Sequence, residues 1–143
     1  MLVSQVLKDK GDLVFTASPN DTVAAVAAIL HVRRVGAMVV TGPDREVVGI
    51  VSERDIVRVV AERGGEGLSH PVSDYMTRGV ILATPSETVD ALMERMTDLR
   101  IRHLPVCVEG RLVGIISIGD LVKTKIAETE AEAEGLRAYI SAT

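Results

Sequence analysis

The sequence contains few aromatic residues, a single cysteine and no long apolar segment. Its one Phe and two Tyr, with no Trp, among 143 residues are too few for the base-stacking surface that binding of single-stranded nucleic acid usually requires. One cysteine excludes an internal disulfide and favours a reducing compartment. No apolar run approaches the roughly 20 residues of a membrane span, and the N-terminal segment lacks the features of a signal peptide. We therefore expect a cytoplasmic protein with no membrane-embedded part.

A strong excess of charge is also missing. The formal net charge is −4 and the sequence pI is about 5.4, so general attraction to a polyanion or to an acidic membrane is not expected. Arg33-Arg34 and the pair of Arg100 and Arg102 fall near the ends of predicted helices, where cations complement the helix dipole. A nucleic-acid partner is therefore disfavoured.

The sequence shows no pattern typical of a catalytic or metal site. His31, His70 and His103 lie far apart, and none of them pairs with an acid or with Cys107 at metal-ligand spacing. Cys107 stands in an apolar segment and is expected to be a small buried hydrophobe rather than a nucleophile. There is no nucleophile elbow, no Ser-His-Asp order and no paired-carboxylate arrangement. We expect no metal, no required cofactor and no enzymatic activity.

The dominant positive feature is an internal repeat. Residues 48–57 (VGIVSERDIV) return as residues 113–122 (VGIISIGDLV), identical at six of ten positions. Upstream, residues 17–23 (ASPNDTV) match residues 83–89 (ATPSETV). Such a duplication predicts two similar units related by a pseudo-two-fold axis, with a cleft where they meet. Each unit would be marginal alone, so we expect them to share a core.

A proline-containing motif predicts the first helix of each copy. Ser18-Pro19 and Thr84-Pro85 place a hydroxyl residue at the N-cap and proline at the first helical position, so helices are expected near residues 19–34 and 85–100. The apolar positions at helical spacing, which should face a sheet, are Val23, Val26, Ala27, Leu30, Val89, Leu92, Met93 and Met96.

Strands and a second helix complete each copy, in the order strand, helix, strand, strand, helix. The second helices should begin at Ser52 and Ser117, each three residues before an aspartate, which is the spacing of a capping box. The acidic, alanine-rich C-terminal segment should also be helical, with an interruption at Gly135. The predicted strands lie near residues 14–16, 37–41, 46–51, 80–83, 104–108 and 111–116.

Together these motifs resemble a tandem pair of cystathionine-β-synthase (CBS) domains. The resemblance rests on the repeat order, the Ser/Thr-Pro step, the Gly-apolar-apolar-Ser-x-x-Asp motif and residues 102–106 (RHLPV), and it covers about residues 1–127. It implies an α/β fold in which two CBS repeats, residues 1–66 and 67–127, pack as a pseudo-two-fold sandwich, followed by an acidic C-terminal helix or tail, residues 128–143. It also implies clefts between the repeats for an adenosine ligand, namely AMP, ADP, ATP, NAD or S-adenosylmethionine, with AMP or ATP favoured.

The second-helix motif has chemistry that suits such a ligand. The turn from Gly49 to Ser52 brings backbone N–H groups, the positive end of a helix dipole and a hydroxyl to one point, where a phosphate could bind, and Ser117 offers the same. Asp55 and Asp120 would repel a phosphate and should instead accept hydrogen bonds from ribose hydroxyls. Alternatively, both Ser-Asp pairs are ordinary capping boxes with no ligand role, and both functions can coexist.

The two copies differ in charge around this motif. Phosphates commonly recruit cationic side chains, so clefts that lie across the pseudo-two-fold should bind a charged nucleotide unequally. Arg54 could instead be a solvated helix residue, and His103 either a neutral structural residue or a phosphate neighbour that titrates near physiological pH. Glu53 and Arg54 of the first copy correspond to Ile118 and Gly119 of the second. Gly36 and Ala37 of the first copy correspond to Arg102 and His103 of the second.

Adenine requires an apolar slot with backbone donors and acceptors. The resemblance implies two sets of residues for this slot, although simple packing in the core is the alternative role for both. Which set belongs to which cleft is left open. The two implied sets are Thr16, Ala17 and Ser18 with Gly36 and Ala37, and Leu82, Ala83 and Thr84 with Leu104 and Pro105.

The resemblance implies a regulatory module. An adenosine ligand in the clefts would shift the angle between two dimerised pairs and so modulate a separate, unidentified partner protein. The alternative is a ligand-independent homodimeric scaffold. A homodimer is expected in either case, and Leu136, Tyr139 and Ile140 of the tail either contact a second subunit or belong to a solvated helix end.

Overall fold

The chain folds into two α/β halves preceded by an N-terminal helix. The computed structural model describes residues 1–11 and 14–142 of the 143. The first half follows helix α1 (Val3–Lys10) and consists of β1 (Thr16–Ala17), α2 (Val23–Arg33), β2 (Ala37–Thr41), β3 (Val47–Ser52) and α3 (Glu53–Arg63). The second half consists of α4 (Val89–Leu99), β4 (His103–Val108), β5 (Arg111–Ser117) and α5 (Ile118–Ala142). Two 3₁₀ helices, Gly64–Ser69 and Val72–Asp74, connect the halves.

The predicted hairpin of each copy is confirmed. Strand β2 pairs antiparallel with β3, and β4 pairs antiparallel with β5. The opening strand is confirmed in the first half, where β1 pairs parallel with β2. In the second half it is reduced to a single parallel bridge between Ala83 and Val106, and residues 80–82 belong to no strand. The α/β class and the repeated order of elements are therefore as the sequence predicts.

The first helix of each half begins four residues later than the proline motif predicts, at Val23 and Val89. Thr22 and Thr88 are the N-caps, and each threonine hydroxyl accepts a backbone hydrogen bond at 3.1 Å from the residue three positions on. Ser18 is not the N-cap of α2, because the helix begins only at Val23, although the Ser18 backbone N–H does donate to the Asp21 carboxylate at 2.9 Å in the turn before it. The Thr84-Pro85 motif makes the equivalent turn with Glu87.

Tertiary hydrogen bonds explain why helices do not start at the prolines. The backbone N–H of Val72 donates to the Asp21 carbonyl at 2.7 Å, and that of Val3 donates to the Glu87 carbonyl at 2.9 Å. Asp21 and Glu87 directly precede the two threonine N-caps, so the backbone there is hydrogen-bonded to a distant segment of the chain. The predicted start positions of these helices are wrong because non-local hydrogen bonds, and not the local capping pattern, determine the backbone at these positions.

The predicted apolar faces of α2 and α4 are confirmed. Most of the predicted side chains are buried in the two cores, and Ala27 and Met93 are half-buried. Burial of an apolar helix face against a sheet supplies most of the stability of such short helices. The buried members are Val23, Val26, Leu30, Val89, Leu92 and Met96.

Each core is completed by a segment from outside its own half. Val3 and Val6 of α1 are buried in the core of the second half, whereas Val72 and Met76 of the connector are buried in the core of the first. A third cluster, around Val39 of β2 and residues of β4 and β5, joins the halves. The two halves therefore interlock and share apolar contacts, as their small size requires.

Helix α5 runs without interruption from the second half to the C-terminus. The predicted break at Gly135 is wrong, since the helix spans Ile118–Ala142, and one exposed glycine costs a helix only about 1 kcal/mol. Residues 129–142 are exposed, including Leu136 and Tyr139. In the part of the chain that the structure describes, no helix is long and apolar enough to cross a membrane.

Candidate functional site

A cleft of about 440 Å³ opens between the two halves, beside the start of α3. We call it the first cleft. It brings together predicted site residues from both copies of the repeat. From the first copy these are Gly36, Ala37, Ser52, Arg54 and Asp55, and from the second copy they are Arg102 and His103.

Ser52 and Asp55 form a reciprocal capping box at the floor of this cleft. The Ser52 backbone N–H donates to Asp55 Oδ2 at 2.9 Å, and the Asp55 backbone N–H donates to Ser52 Oγ at 3.3 Å. The Glu53 backbone N–H donates to the Gly36 carbonyl at 3.0 Å. These bonds engage the N–H groups of Glu53 and Asp55, and since first-turn N–H groups have no intrahelical acceptor, that of Arg54 can serve as a donor for an anion. Capping is therefore present and compatible with ligand binding.

The Asp55 carboxylate is held by a second contact on its other oxygen. Arg58 Nη2 lies 3.2 Å from Asp55 Oδ1 and 2.9 Å from the Tyr75 carbonyl. The Arg58 side chain is half exposed, whereas that of Asp55 is 16% exposed. The carboxylate is thus fixed in orientation, which is what recognition of a pair of ribose hydroxyls needs.

His103 lies at the junction of the two halves. Its ring packs so closely against Gly36 that a Cβ at position 36 would be 3.3 Å from it. Burial lowers the pKa of His103 below its ordinary value, and the neighbouring Lys10 lowers it further, although Asp120 and Glu53 act in the opposite direction. The neutral imidazole therefore dominates at neutral pH, which favours the structural interpretation of His103 in the absence of a ligand.

The rim of the first cleft carries more positive than negative charge. Arg54, Arg100 and Arg102 line it, against the carboxylates of Glu53 and Asp55. Arginine side chains are the usual partners of phosphate oxygens. The cleft thus combines a carboxylate-hydroxyl pair with one cation from the same helix, Arg54, and two from the other half, Arg100 and Arg102, a combination suited to a sugar phosphate.

The second Ser-Asp pair has the same local geometry but a different neighbour. The Ser117 backbone N–H donates to Asp120 Oδ2 at 2.9 Å, and the Asp120 N–H donates to Ser117 Oγ at 3.2 Å. Lys10 Nζ of helix α1 lies 2.7 Å from the same Asp120 oxygen. Burial raises the pKa of Asp120, but hydrogen bonds from Lys10 and Ser117 outweigh it and leave this pKa below the ordinary value. Asp120 is therefore an anion already paired with a cation.

Asp120 also borders a groove of about 390 Å³ between α1 and α5. Its other walls come from Met1, from α1 and from Lys123, Thr124 and Ala127 of α5, and not from the predicted adenine-slot residues. The two Ser-Asp pairs thus have unequal surroundings, in line with the charge differences in the sequence.

The predicted adenine-slot residues outside the first cleft are placed as follows. Ala17, Ala83, Leu104 and Pro105 are buried, and Ala83 and Leu104 belong to the core of the second half. Thr16 pairs with Val39 in the sheet. Ser18, Leu82 and Thr84 are exposed. None of these eight lines either the first cleft or the groove beside Asp120, and their role as ligand contacts stays a prediction.

Several lining residues were not predicted as site residues. Ile50, Glu53, Thr77, Arg100 and Ile101 all line the first cleft. The only sequence signal for Arg100 is its place near the end of a predicted helix; in the structure it follows α4 as Arg34 follows α2, and both adopt a left-handed backbone, with φ of 55° and 54°. Thr77 comes from the connector and had no such signal.

Comparison with known proteins decides the family. The CBS domain family model matches twice, at residues 11–62 and 72–126. The chain belongs to the CBS domain family. It is 36% identical to the CBS domain-containing protein CBSX3, mitochondrial, of Arabidopsis thaliana, over 96% of this chain and 71% of that protein.

Solved structures of CBS proteins agree with this fold. A CBS-domain-containing protein from Agrobacterium tumefaciens superposes with a TM-score of 0.83 at 45% identity, covering 87% of this chain and 99% of the other. The CBS domain pair of protein MJ0100, solved in complex with 5-methylthioadenosine and S-adenosyl-L-methionine, has a TM-score of 0.80 at 26% identity, covering 90% of this chain and 98% of the other. The resemblance to tandem CBS domains is confirmed.

Proposed function

We propose that this CBS pair is a regulatory module that binds an adenosine nucleotide in its first cleft and modulates a separate partner protein. The observation that carries the proposal is the meeting, in one cleft, of the Ser52-Asp55 pair from one copy with Arg102 from the other. In this proposal Asp55 accepts hydrogen bonds from the ribose, and the N-terminus of α3 with Arg54 and Arg102 binds phosphate.

An anionic nucleotide, AMP or ATP, suits this cleft better than S-adenosylmethionine or 5-methylthioadenosine. Three arginines face two carboxylates there, and one of these carboxylates is assigned to the sugar, so the remaining charge favours a phosphate-bearing ligand. The complex of the MJ0100 CBS pair with adenosyl ligands supports the adenosine part of the proposal. Because the ligand would contact both halves of a pair, its binding can shift the angle between two dimerised pairs, and a partner would respond to that shift.

Isothermal titration calorimetry and thermal unfolding with AMP, ATP, NAD and S-adenosylmethionine test the proposal. A ligand at one hundred times its dissociation constant should raise the unfolding free energy by about 2.7 kcal/mol. Asp55→Asn keeps an oxygen for the cap but removes the charge, so it should abolish binding while the protein stays folded. Asp44→Asn, in an exposed turn, is the matched control.

Arg102 provides a second pair of variants. Arg102→Gln should lower the affinity for AMP and ATP and leave the affinity for 5-methylthioadenosine unchanged, because only the phosphorylated ligands interact with the cation. Arg111→Gln, exposed at the start of β5, removes the same charge away from the cleft and should change nothing. Absence of binding by all the adenosine ligands at millimolar concentration would refute the nucleotide role.

A homodimeric scaffold is the second candidate function, and exposed apolar side chains on α3 and α5 favour a dimer in either case. Val57 and Val60 of α3 are 67% and 47% exposed, and Val122 and Ile126 of α5 are 42% and 54% exposed. We place the subunit contact on these two helices, because Val57 and Val122 occupy equivalent positions of the repeat and each helix exposes apolar side chains.

Light scattering after size-exclusion chromatography tests the dimer. Val57→Glu should produce monomers, whereas Val32→Glu on α2, where valine is 71% exposed, should leave the dimer intact. A scaffold without ligand function would bind its partner equally well with and without nucleotide and would tolerate Asp55→Asn. The cytoplasmic location remains the prediction from the single cysteine.

A further inference from the structure

The two copies differ in length just before their first strand. Leu7 of α1 packs against Gly114, and Met76 of the connector packs against Gly49, so Leu7 and Met76 occupy equivalent places. From there the chain reaches the matching alanine of its repeat in ten residues (7 to 17) in the first copy, but in seven (76 to 83) in the second. The first copy therefore carries three additional residues after Leu7.

Lys10 lies in this longer segment. In the second half its side chain makes the contact that a backbone group makes at the equivalent position of the first half. In the first half, Ile50 and Thr77 exchange two backbone hydrogen bonds, at 3.0 and 2.9 Å. At the equivalent Ile115, the carbonyl accepts a hydrogen bond from Lys10 Nζ at 2.9 Å. The same ammonium donates to Asp120 Oδ2 at 2.7 Å. In the second half a side-chain cation thus bridges the Ile115 carbonyl and the second aspartate.

The cation that contacts Asp120 differs in origin from the one that contacts Asp55. Arg58 contacts Asp55 Oδ1 from the same helix, at 3.2 Å and with half of its side chain exposed. Lys10 comes from a different helix, is 34% exposed, and contacts the oxygen that already accepts the Ser117 N–H. Both acceptor sites of Asp120 Oδ2 are in use, one for the Ser117 N–H and one for the ammonium. On Asp55 Oδ2 the second donor is only the hydroxyl of its own cap residue, Ser52, at 3.2 Å. The difference is therefore that a cation from another helix takes the place of a hydroxyl.

We propose that Lys10 is a built-in ligand of Asp120, which occupies the place of a ribose hydroxyl and prevents an adenosine ligand from binding at the second Ser-Asp pair. This inference rests on the proposed function, because it assigns the ribose role to both aspartates. A ligand that displaces the ammonium must break its bonds to both Asp120 and Ile115 and leave a charge without its partner. One chain accordingly binds one nucleotide, in the first cleft.

Stoichiometry measured by isothermal titration calorimetry with AMP and with ATP tests the inference. Wild type should bind one nucleotide per chain, and Lys10→Met should bind two. Lys8→Met, an exposed lysine two residues earlier on α1, should bind one. Lys10→Gln is a second test that keeps a donor for the Ile115 carbonyl and removes only the charge, so folding is preserved if the methionine variant is unstable.

The outcomes separate this inference from the proposed function. Adding Asp120→Asn to Lys10→Met should remove the second binding event alone, and adding Asp55→Asn should remove the first alone. Two nucleotides bound by wild type, or a single nucleotide bound by both Lys10 variants, would overturn the inference while the proposed function stands. No binding by wild type with one site in Lys10→Met would overturn the first-cleft proposal and retain the role of Lys10. No binding by either protein overturns both.

Discussion

The His103 ring of the second half occupies the space that a side chain at Gly36 of the first half would need. A Cβ added at Gly36 would lie 3.3 Å from both Cε1 and Nε2 of the His103 ring. The equivalent positions of the repeat carry Arg102 in place of Gly36 and Ala37 in place of His103. The large ring of one copy is therefore accommodated by the absence of a side chain in the other.

This contact predicts that Gly36→Val weakens nucleotide binding. The two methyl groups of valine would displace the His103 ring or enter the first cleft, and overpacking of this kind typically costs about 1–3 kcal/mol. We expect affinity for AMP or ATP to fall about tenfold, which corresponds to about 1.4 kcal/mol. Isothermal titration calorimetry measures this change in affinity. Gly65→Val, where an added Cβ would meet nothing within 4 Å, should leave the affinity unchanged.

His103 should make the folded protein less stable at mildly acidic pH. Burial, assisted by Lys10, lowers the pKa of His103 below 6.5, so the unfolded chain binds this proton at a higher pH than the folded chain does. The stabilisation is then complete above the unfolded pKa and is lost as pH falls through the folded pKa.

Urea unfolding between about pH 7.5 and about pH 5.5 measures this effect. Wild type should lose stability toward the acidic end, and His103→Gln should show a smaller loss. His31→Gln, exposed on α2, should follow wild type. If the His103 variant keeps the full pH dependence, the titrating group lies elsewhere.

The N-terminal helix should stabilise the C-terminal half. Val3 has 0% exposure and belongs to the core of the second half, so Val3→Ala should lower the unfolding free energy by about 2 kcal/mol. Val32→Ala, at a position that is 71% exposed, should change it by less than about 0.5 kcal/mol. Hydrogen exchange should show the loss of protection in β4 and β5 rather than in β2 and β3. Loss confined to the first half would contradict the interlocked arrangement.

The repeat, the hairpins and the two capping boxes could be predicted because they depend on local patterns. Alternating apolar residues and the Ser-x-x-Asp spacing act within a few residues, so strands β2 to β5 and the starts of α3 and α5 follow from the sequence. The starts of α2 and α4 do not. At Asp21 and Glu87 the local pattern competes with hydrogen bonds from Val72 and Val3, and no property of the local sequence reveals these distant donors.

The sequence by itself determined that there are two copies of one α/β unit, that each carries a hydroxyl-aspartate pair, and that the copies differ in charge. Only the tertiary structure decided which groups meet: Arg100 and Arg102 with Asp55 in one cleft, and Lys10 with Asp120 at the other. The physical reason is distance along the chain. Capping and pleating act between near neighbours, whereas the cations that line the cleft around Asp55 and the lysine that pairs with Asp120 depend on how the two halves and the N-terminal helix pack together.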